Sequence, residues 1–419
     1  MRQAARTACI ALLGLVLLAV PIVLLAAPTP AVAFHIPQRA ITYQRLGYAL
    51  GFFGIFWHGL GLWLILHFGI AAQLRCLAYR LTTRQPNSEK PPPLRALALF
   101  YVAFSLLFLL WQMPLGMAGL LLEKQFGFAR EGWGRWLEDT ALSWVLSLPL
   151  ILVLWLGYVV YFRSPQRWWL WLWAALTPLI LFNNVIQPIF IAPLFNRYRP
   201  LPPGPLRQAI ENLAAKAHIR HAVILVENTS RRTTHVNAYV TGIGPTTRIV
   251  IDDTALKTLP PDQLLVMVAH EMGHYVEKHV WIITLSNILG AGVLLWVLSK
   301  AFPTLLQRFA RKWGIESPAD LAALPALFLC LYVLLQIQMP LANLESRYLE
   351  HRADAFALRL THLNRAMAQL FIGFAERDYE DPNPPALIQW WYGTHPSLRS
   401  RVQFALSYHP WRHGAARYR

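Results

Sequence analysis

A chain of 419 residues with 56% hydrophobic and only 14% charged residues is too apolar for an ordinary soluble domain. Seventeen Trp add the aromatic weight typical of membrane interfaces. The formal charge of +17 does not point to nucleic acid, because the basic residues are dispersed among apolar stretches, where they mark topology and meet anionic headgroups. With Cys9 and Cys330 in apolar runs and Cys76 at a basic loop, neither a disulfide framework nor a cysteine metal site is indicated.

Seven apolar runs are long enough to cross a bilayer, at roughly 8–27, 46–72, 95–122, 141–162, 168–193, 281–302 and 322–342. The first is signal-like: Arg2 and Arg6 precede it, and Ala31-Val32-Ala33 resembles a cleavage site. Its length, Pro21, and the following Pro28 and Pro30 favour a retained span. Arg75, Arg80, Arg84, Lys90 and Arg95 crowd the loop after the second run, and Lys300, Arg308, Arg311 and Lys312 the loop after the sixth. In a seven-span layout both loops share a side with Arg2 and Arg6, and the positive-inside rule makes that side cytoplasmic. The chain therefore divides into residues 1–194, a membrane region of five spans, and 195–419, a polar unit interrupted by two further spans.

Within the second part, 205–217 carries helical spacing, with Leu206, Ile210, Leu213 and Ala214 on one face. Short β-type runs follow at Ala222–Val226, Val236–Thr241 and Arg248–Ile251, separated by Asn, Ser, Thr and Gly. Pro260 and Pro261 then mark a helix start, with Asp262 in the first turn. That helix turns Leu264, Leu265 and Val268 inward and delivers His270-Glu271-Met272-Gly273-His274. Two imidazoles four residues apart lie on one helical face and can grip one metal ion, while Glu271 can take a proton from the attacking water.

A hydrolytic zinc site needs a third protein ligand and an open fourth position. After the seventh run, Glu350 and Asp354 are four apart, so Glu350 could ligate while Asp354 bonds the outer nitrogen of a ligand imidazole. Glu345 and His351 are rivals by residue type, although helical phase turns His351 about 100° from Glu350. A solvated charged helix is an equally good reading of this segment alone. In the last polar stretch, His395 and Arg401 could steady the oxyanion that develops when water attacks an amide, or could belong to a surface turn.

With these residues in hand, the chain resembles the integral-membrane zinc endopeptidases of the CAAX prenyl protease 1 family. The motifs that carry the resemblance are Pro193-Leu194-Phe195-Asn196 with Pro200-Leu201-Pro202, His235-Val236-Asn237-Ala238-Tyr239, and Arg248–Ile251 with Asp253-Thr254. Beside them stand the His270–His274 motif, Ser346-Arg347 with Glu350, Ala353 and Asp354, and Thr394-His395-Pro396. The metal signature alone is shared by many proteases; the ordered set is specific. The resemblance implies a mostly α fold, a seven-span transmembrane helical chamber capped by a small α+β zincin-like metalloprotease domain. It implies one Zn2+ held by His270, His274 and Glu350, Glu271 as general base, Asp354 behind a ligand, and His395 and Arg401 at the oxyanion or substrate backbone. Asn237 would bind substrate on an edge strand by strand addition. Polar residues within the runs (His58, His67, Gln112, Asn183, Asn184, Gln187, Asn287, Gln336 and Gln338) suit a water-filled lining, or equally helix-to-helix bonding.

The expected partners are peptide or protein substrates, including prenylated C-termini, and membrane lipid, with no nucleic acid. The expected location is a bacterial inner membrane or the endoplasmic reticulum. Two other readings stand beside this one: a general quality-control protease of the HtpX-like type, and a seven-span transporter or receptor with a structural metal site, which would need four protein ligands.

Overall fold

The structure, a computed structural model, describes residues 33–82, 90–219, 222–242 and 246–413. It opens with helices α1 (Gln38–His67), α2 (Ile70–Thr82), α3 (Leu94–Phe126), α4 (Trp133–Ser147), α5 (Leu150–Arg163) and α6 (Trp168–Ile186). A π-helical turn at Gln187–Ile191 and a short turn at Ala192–Phe195 lead out of this region. Among the described residues, five helical stretches are long and apolar enough to cross a membrane: Gln38–His67, Leu94–Phe126, Trp133–Arg163, His279–Trp313 and Leu321–Thr361. Trp168–Asn184 and Gln187–Phe195 make a sixth if their 52° bend lies within one span. The expected run at 8–27 lies outside the described residues.

In lipid, apolar contact between helices gains little from water exclusion, so close packing and specific polar bonds must hold them. The α1–α3 contact illustrates this. The Trp57 and Trp111 indoles each donate to the other's carbonyl (3.0 and 2.9 Å) and stack with centroids 4.2 Å apart. Gly61 makes room: a Cβ there would stand 2.4 Å from the Trp111 ring. Farther along, Phe100, Phe104, Leu66, Phe302 and Leu324 build a shared core. At its end Arg75 reaches the buried Asp320 (2.5 Å) and Glu316 (2.9 Å). An open cavity of about 830 Å3 lies between helices, with His58, Gln112, Ser105, Asp139 and Arg232 in its wall. Gln112 and His58 are in contact there at 3.2 Å. Other polar residues expected to line such a space do different work. Asn184 donates to Thr284 on a neighbouring helix (2.8 Å), and Gln338 packs against Gly290.

The polar unit contains β1 (Tyr198–Pro200), α7 (Pro205–Lys216), β2 (Val223–Glu227), β3 (Ala238–Thr241) and β4 (Arg248–Asp252). They form one sheet in the order β1-β2-β4-β3, with β2 and β4 parallel and both outer pairs antiparallel. Ile249, Val250 and Ile251 of β4 are buried, as a central strand covered on both faces requires. Strand β3 is an edge. Helices α8 (Asp253–Thr258) and α9 (Pro261–Val276) follow. After α9 come α10 (His279–Phe309), α11 (Leu324–Thr361), α12 (Asn364–Arg377), α13 (Ala386–Trp391) and α14 (Leu398–Ser407). Sequence pattern does not predict the strand at Tyr198–Pro200, because Pro200 removes a donor. It is tolerated since β1 lies at the sheet's other edge.

Candidate metal centre and active-site cleft

Helix α9 begins at Pro261, whose missing N–H costs nothing in a first turn, and Asp262 stands at the positive end of the helix dipole. Leu264, Val268, Ala269 and Met272 are buried along it. Each fully buried Leu or Met side chain contributes roughly 1.5–3 kcal/mol when the alternative is exposure to water. Its partner is α11. At Gly273 a Cβ would stand 3.2 Å from the Ala353 Cα and 3.1 Å from the Phe356 ring, so the two helices touch nearly backbone to backbone. That approach brings the side chains of α9 and α11 together.

His270, His274 and Glu350 each offer a ligand atom, all within 4.8 Å of one another. His270 Nε2 lies 3.1 Å from Glu350 Oε2, His274 Nε2 lies 3.4 Å from Glu350 Oε1, and the two Nε2 atoms are 3.2 Å apart. Two imidazole nitrogens and a carboxylate oxygen are a donor set that zinc accepts. Glu350 Oε2 is buried and has no hydrogen-bond donor among the described residues, an acceptor that a cation would satisfy. Burial alone would lower the His270 imidazole, but Asp354 and Glu350 outweigh it and push it up to about 10, so the site favours positive charge. The residues therefore fit a metal ion.

Glu271 Oε1 is 3.9 Å from His270 Nε2, and burial raises its carboxyl above the ordinary value. Asp354 is buried, with Oδ1 2.9 Å from His270 Nδ1. Arg401 on α14 donates twice to Asp354, at 2.8 and 2.7 Å, and its guanidinium lies 4.0 Å from the Phe371 ring centroid. Arg401 Nη2 is still 3.9 Å from Glu350 Oε2. His395 Nε2 approaches Glu350 Oε2 to 3.3 Å from a half-exposed position. Arg347 explains how His395 is presented: its Nη1 donates to the carbonyls of Gln389 (3.1 Å) and Gly393 (2.5 Å), and Gln389 in turn donates to the His395 carbonyl (2.7 Å). The rival residues lie elsewhere. Glu345 accepts from Ser286 (2.6 Å), and His351 packs on Phe404 with centroids 4.4 Å apart.

A cleft of about 260 Å3 opens beside the cluster, lined by Asn237, His270, Glu271, His395 and Arg401. Asn237 precedes edge strand β3, and its carbonyl accepts from the Asp252 N–H (3.0 Å). Three further cleft residues are given no role by the sequence reading: His235, which lies in one of the motifs, and Asp378 and Glu380, which lie in none. The acidic run Asp378–Asp381 is conspicuous in so basic a chain, and that was the available signal. His235 sits 3.4 Å from Glu123 and 3.7 Å from Asp378 and stacks on Phe128. Burial opposes its charge, yet bonds to Asp378 and Glu123 raise it to about 9.

A profile of peptidase family M48 matches residues 200–409, and one of the CAAX prenyl protease N-terminal region, described as five membrane helices, matches residues 34–197. The chain is 34% identical over 307 residues to the uncharacterized metalloprotease YhfN of Bacillus subtilis (strain 168), covering 73% of this chain and 72% of that one. It is 32% identical over 255 residues to the CAAX prenyl protease 1 homolog of Dictyostelium discoideum, 58% of each chain, so less than two thirds of that relative is spanned. The crystal structure of Ste24p from S. mikatae shares the fold, with a TM-score of 0.77 at 22% identity over 88% of both chains.

Proposed function

The chain belongs to peptidase family M48 and is a multi-pass membrane metalloendopeptidase, and from that premise we propose zinc-dependent peptide hydrolysis at the cluster of His270, His274 and Glu350. The observation that carries the reading is that two imidazoles from α9 and one carboxylate from α11, far apart in sequence, meet with Glu271 beside them. A structural zinc site would be closed by a fourth protein ligand, whereas three residues converge here among those described.

When bound, the ion would polarise the scissile carbonyl and make water a better nucleophile near neutral pH. Glu271 accepts the proton of the attacking water and returns it to the leaving amine, a task suited to a carboxyl raised by burial. His395, facing the cleft, donates to the developing oxyanion, and Arg401 adds positive charge behind it while holding Asp354 in place. Asp354 fixes the ring of His270 through Nδ1. Asn237 and edge strand β3 take the substrate main chain in extended form.

The larger architecture follows the same reading: a seven-span chamber capped by a zincin-like domain. The five described stretches, six if the bent pair is one span, and the cavity with His58 and Gln112 in its wall support it. Residues 1–194 form the membrane region and 195–419 the peptidase region, a division supported by the two matched profiles, which adjoin between residues 197 and 200. Substrates are peptides or proteins that reach the chamber from a lipid setting, prenylated C-termini among them.

Replacing Glu271 tests the mechanism. Glu271→Gln should keep about one zinc per chain while cleavage falls by roughly a hundredfold to ten-thousandfold. Undiminished cleavage by that variant would end the proposal. Comparing a farnesylated with an unmodified C-terminal peptide tests the substrate class, since equal rates would favour general endoproteolysis.

A further inference from the structure

His274 presents Nε2 to the cluster, so its proton must sit on Nδ1, and that nitrogen faces another imidazole: His279 Nδ1, 3.0 Å away. Two ring nitrogens at that distance share one proton. His279 therefore accepts at Nδ1 and carries its own proton on Nε2, which lies 3.3 Å from Glu277 Oε2. Glu277 is held in turn by Arg352 (2.7 Å) and Arg359 (3.1 Å), both on α11, the helix that also supplies Glu350 and Asp354.

We propose that Glu277 and His279 form a positioning pair for His274, fixing its proton and ring angle as Asp354 does for His270. The inference rests on the reading that this cluster holds a metal ion. Local backbone geometry supports it. Lys278 adopts φ 60° between α9 and α10, which folds the chain back and lays His279 across His274, with ring centroids 5.0 Å apart and planes at 77°. The His279 side chain is fully buried. A buried ring serving only to fill space would be better made of carbon, because its two nitrogens need partners. Here Nδ1 bonds the ligand ring at 3.0 Å, while Nε2 has the Glu277 carboxylate as its nearest acceptor at 3.3 Å, an ion-pair approach rather than a formed hydrogen bond. An acceptor behind a ligating imidazole raises its basicity and holds its plane, and losing such a partner typically weakens metal binding 10- to 100-fold.

The test uses the full chain in detergent and competes its zinc against a chelator of known affinity. His279→Leu fills the space without an acceptor and should weaken zinc retention roughly 10- to 100-fold. His279→Asn places an amide oxygen near the Nδ1 position and should stay within a few-fold of wild type, a rescue that packing alone would not produce. Equal retention by the Leu variant and wild type overturns the proposal, as does an equal loss in both variants. If the Leu variant does not fold, the Asn variant decides: a tenfold or greater loss there counts against the pair, and near-wild-type retention counts for it. Wild-type protein that takes up no zinc would instead defeat the proposed function, which separates the two failures.

Discussion

Arg401 shows what one buried charge does in this cluster. It lies beside the cluster of His270, His274 and Glu350, 7% exposed, with two donors on a carboxylate that is itself 1% exposed. Removing one partner of such a pair leaves the other charged and dry, which costs about 3–5 kcal/mol. Arg401→Met should therefore lower the unfolding free energy of the zinc-free protein by that order, read as a lower denaturant midpoint. Arg401→Lys should recover only part, because an ammonium cannot make the two-point bond. His235 makes a prediction about pH. Its folded value of about 9 exceeds the ordinary 6.5, so the stability it draws from Asp378 and Glu123 is fully present below pH 6.5 and is lost as pH rises through about 9. The wild-type advantage in thermal midpoint over His235→Gln should shrink across that interval; a constant difference would mean that the imidazole carries no extra proton in the fold. Of the residues named from the sequence, the HExxH pair was readable because helical spacing is local. Arg401 as the partner of Asp354 was not, since 47 residues separate them.

At the level of elements, the contact between α9 and α11 matters most, and Gly273 is its narrowest point. A Cβ there meets main-chain and ring atoms at 3.1–3.2 Å, so a branched side chain must push the helices apart. Gly273→Val should cost about 1–3 kcal/mol, and it should also weaken zinc uptake by drawing Glu350 away from His270 and His274. A variant that keeps wild-type zinc affinity would show that the ligands reach the ion without this close approach. Strand edges were legible to within a residue or two: Val223–Glu227 and Arg248–Asp252 against expected runs ending at Val226 and Ile251. The run from 141 was less so, for the observed helix starts at Trp133 and is interrupted near Leu148 and Pro149. Apolar length marks the part of a helix that lies in lipid, whereas its polar first turns depend on neighbours such as Arg232, paired with Asp139 at 2.8 Å.

For the whole molecule, an ion that binds only the folded chain ties stability to its concentration. Zinc at a hundred times its Kd should add about 2.7 kcal/mol, measurable as a higher unfolding midpoint that a chelator reverses. Glu350→Gln should abolish most of this increment, and an unchanged increment would place the ion elsewhere. The charge pattern also changes meaning in three dimensions. Arg75 counted in the sequence as one of the loop charges that set topology, and the structure pairs it with Asp320 and Glu316 at the end of the membrane core. Periodicity, apolar length and the spacing of His270, Glu271 and His274 were open to reading without coordinates, because each depends on backbone repeats a few residues long. The choice of Glu350 over Glu345 and His351, the bracing of Asp354 by Arg401, and the edge-on placement of His279 behind His274 depended on helices that pass through lipid and return. Contacts between such distant segments are set by packing at Gly273 and Ala353, and short-range pattern carries no record of them.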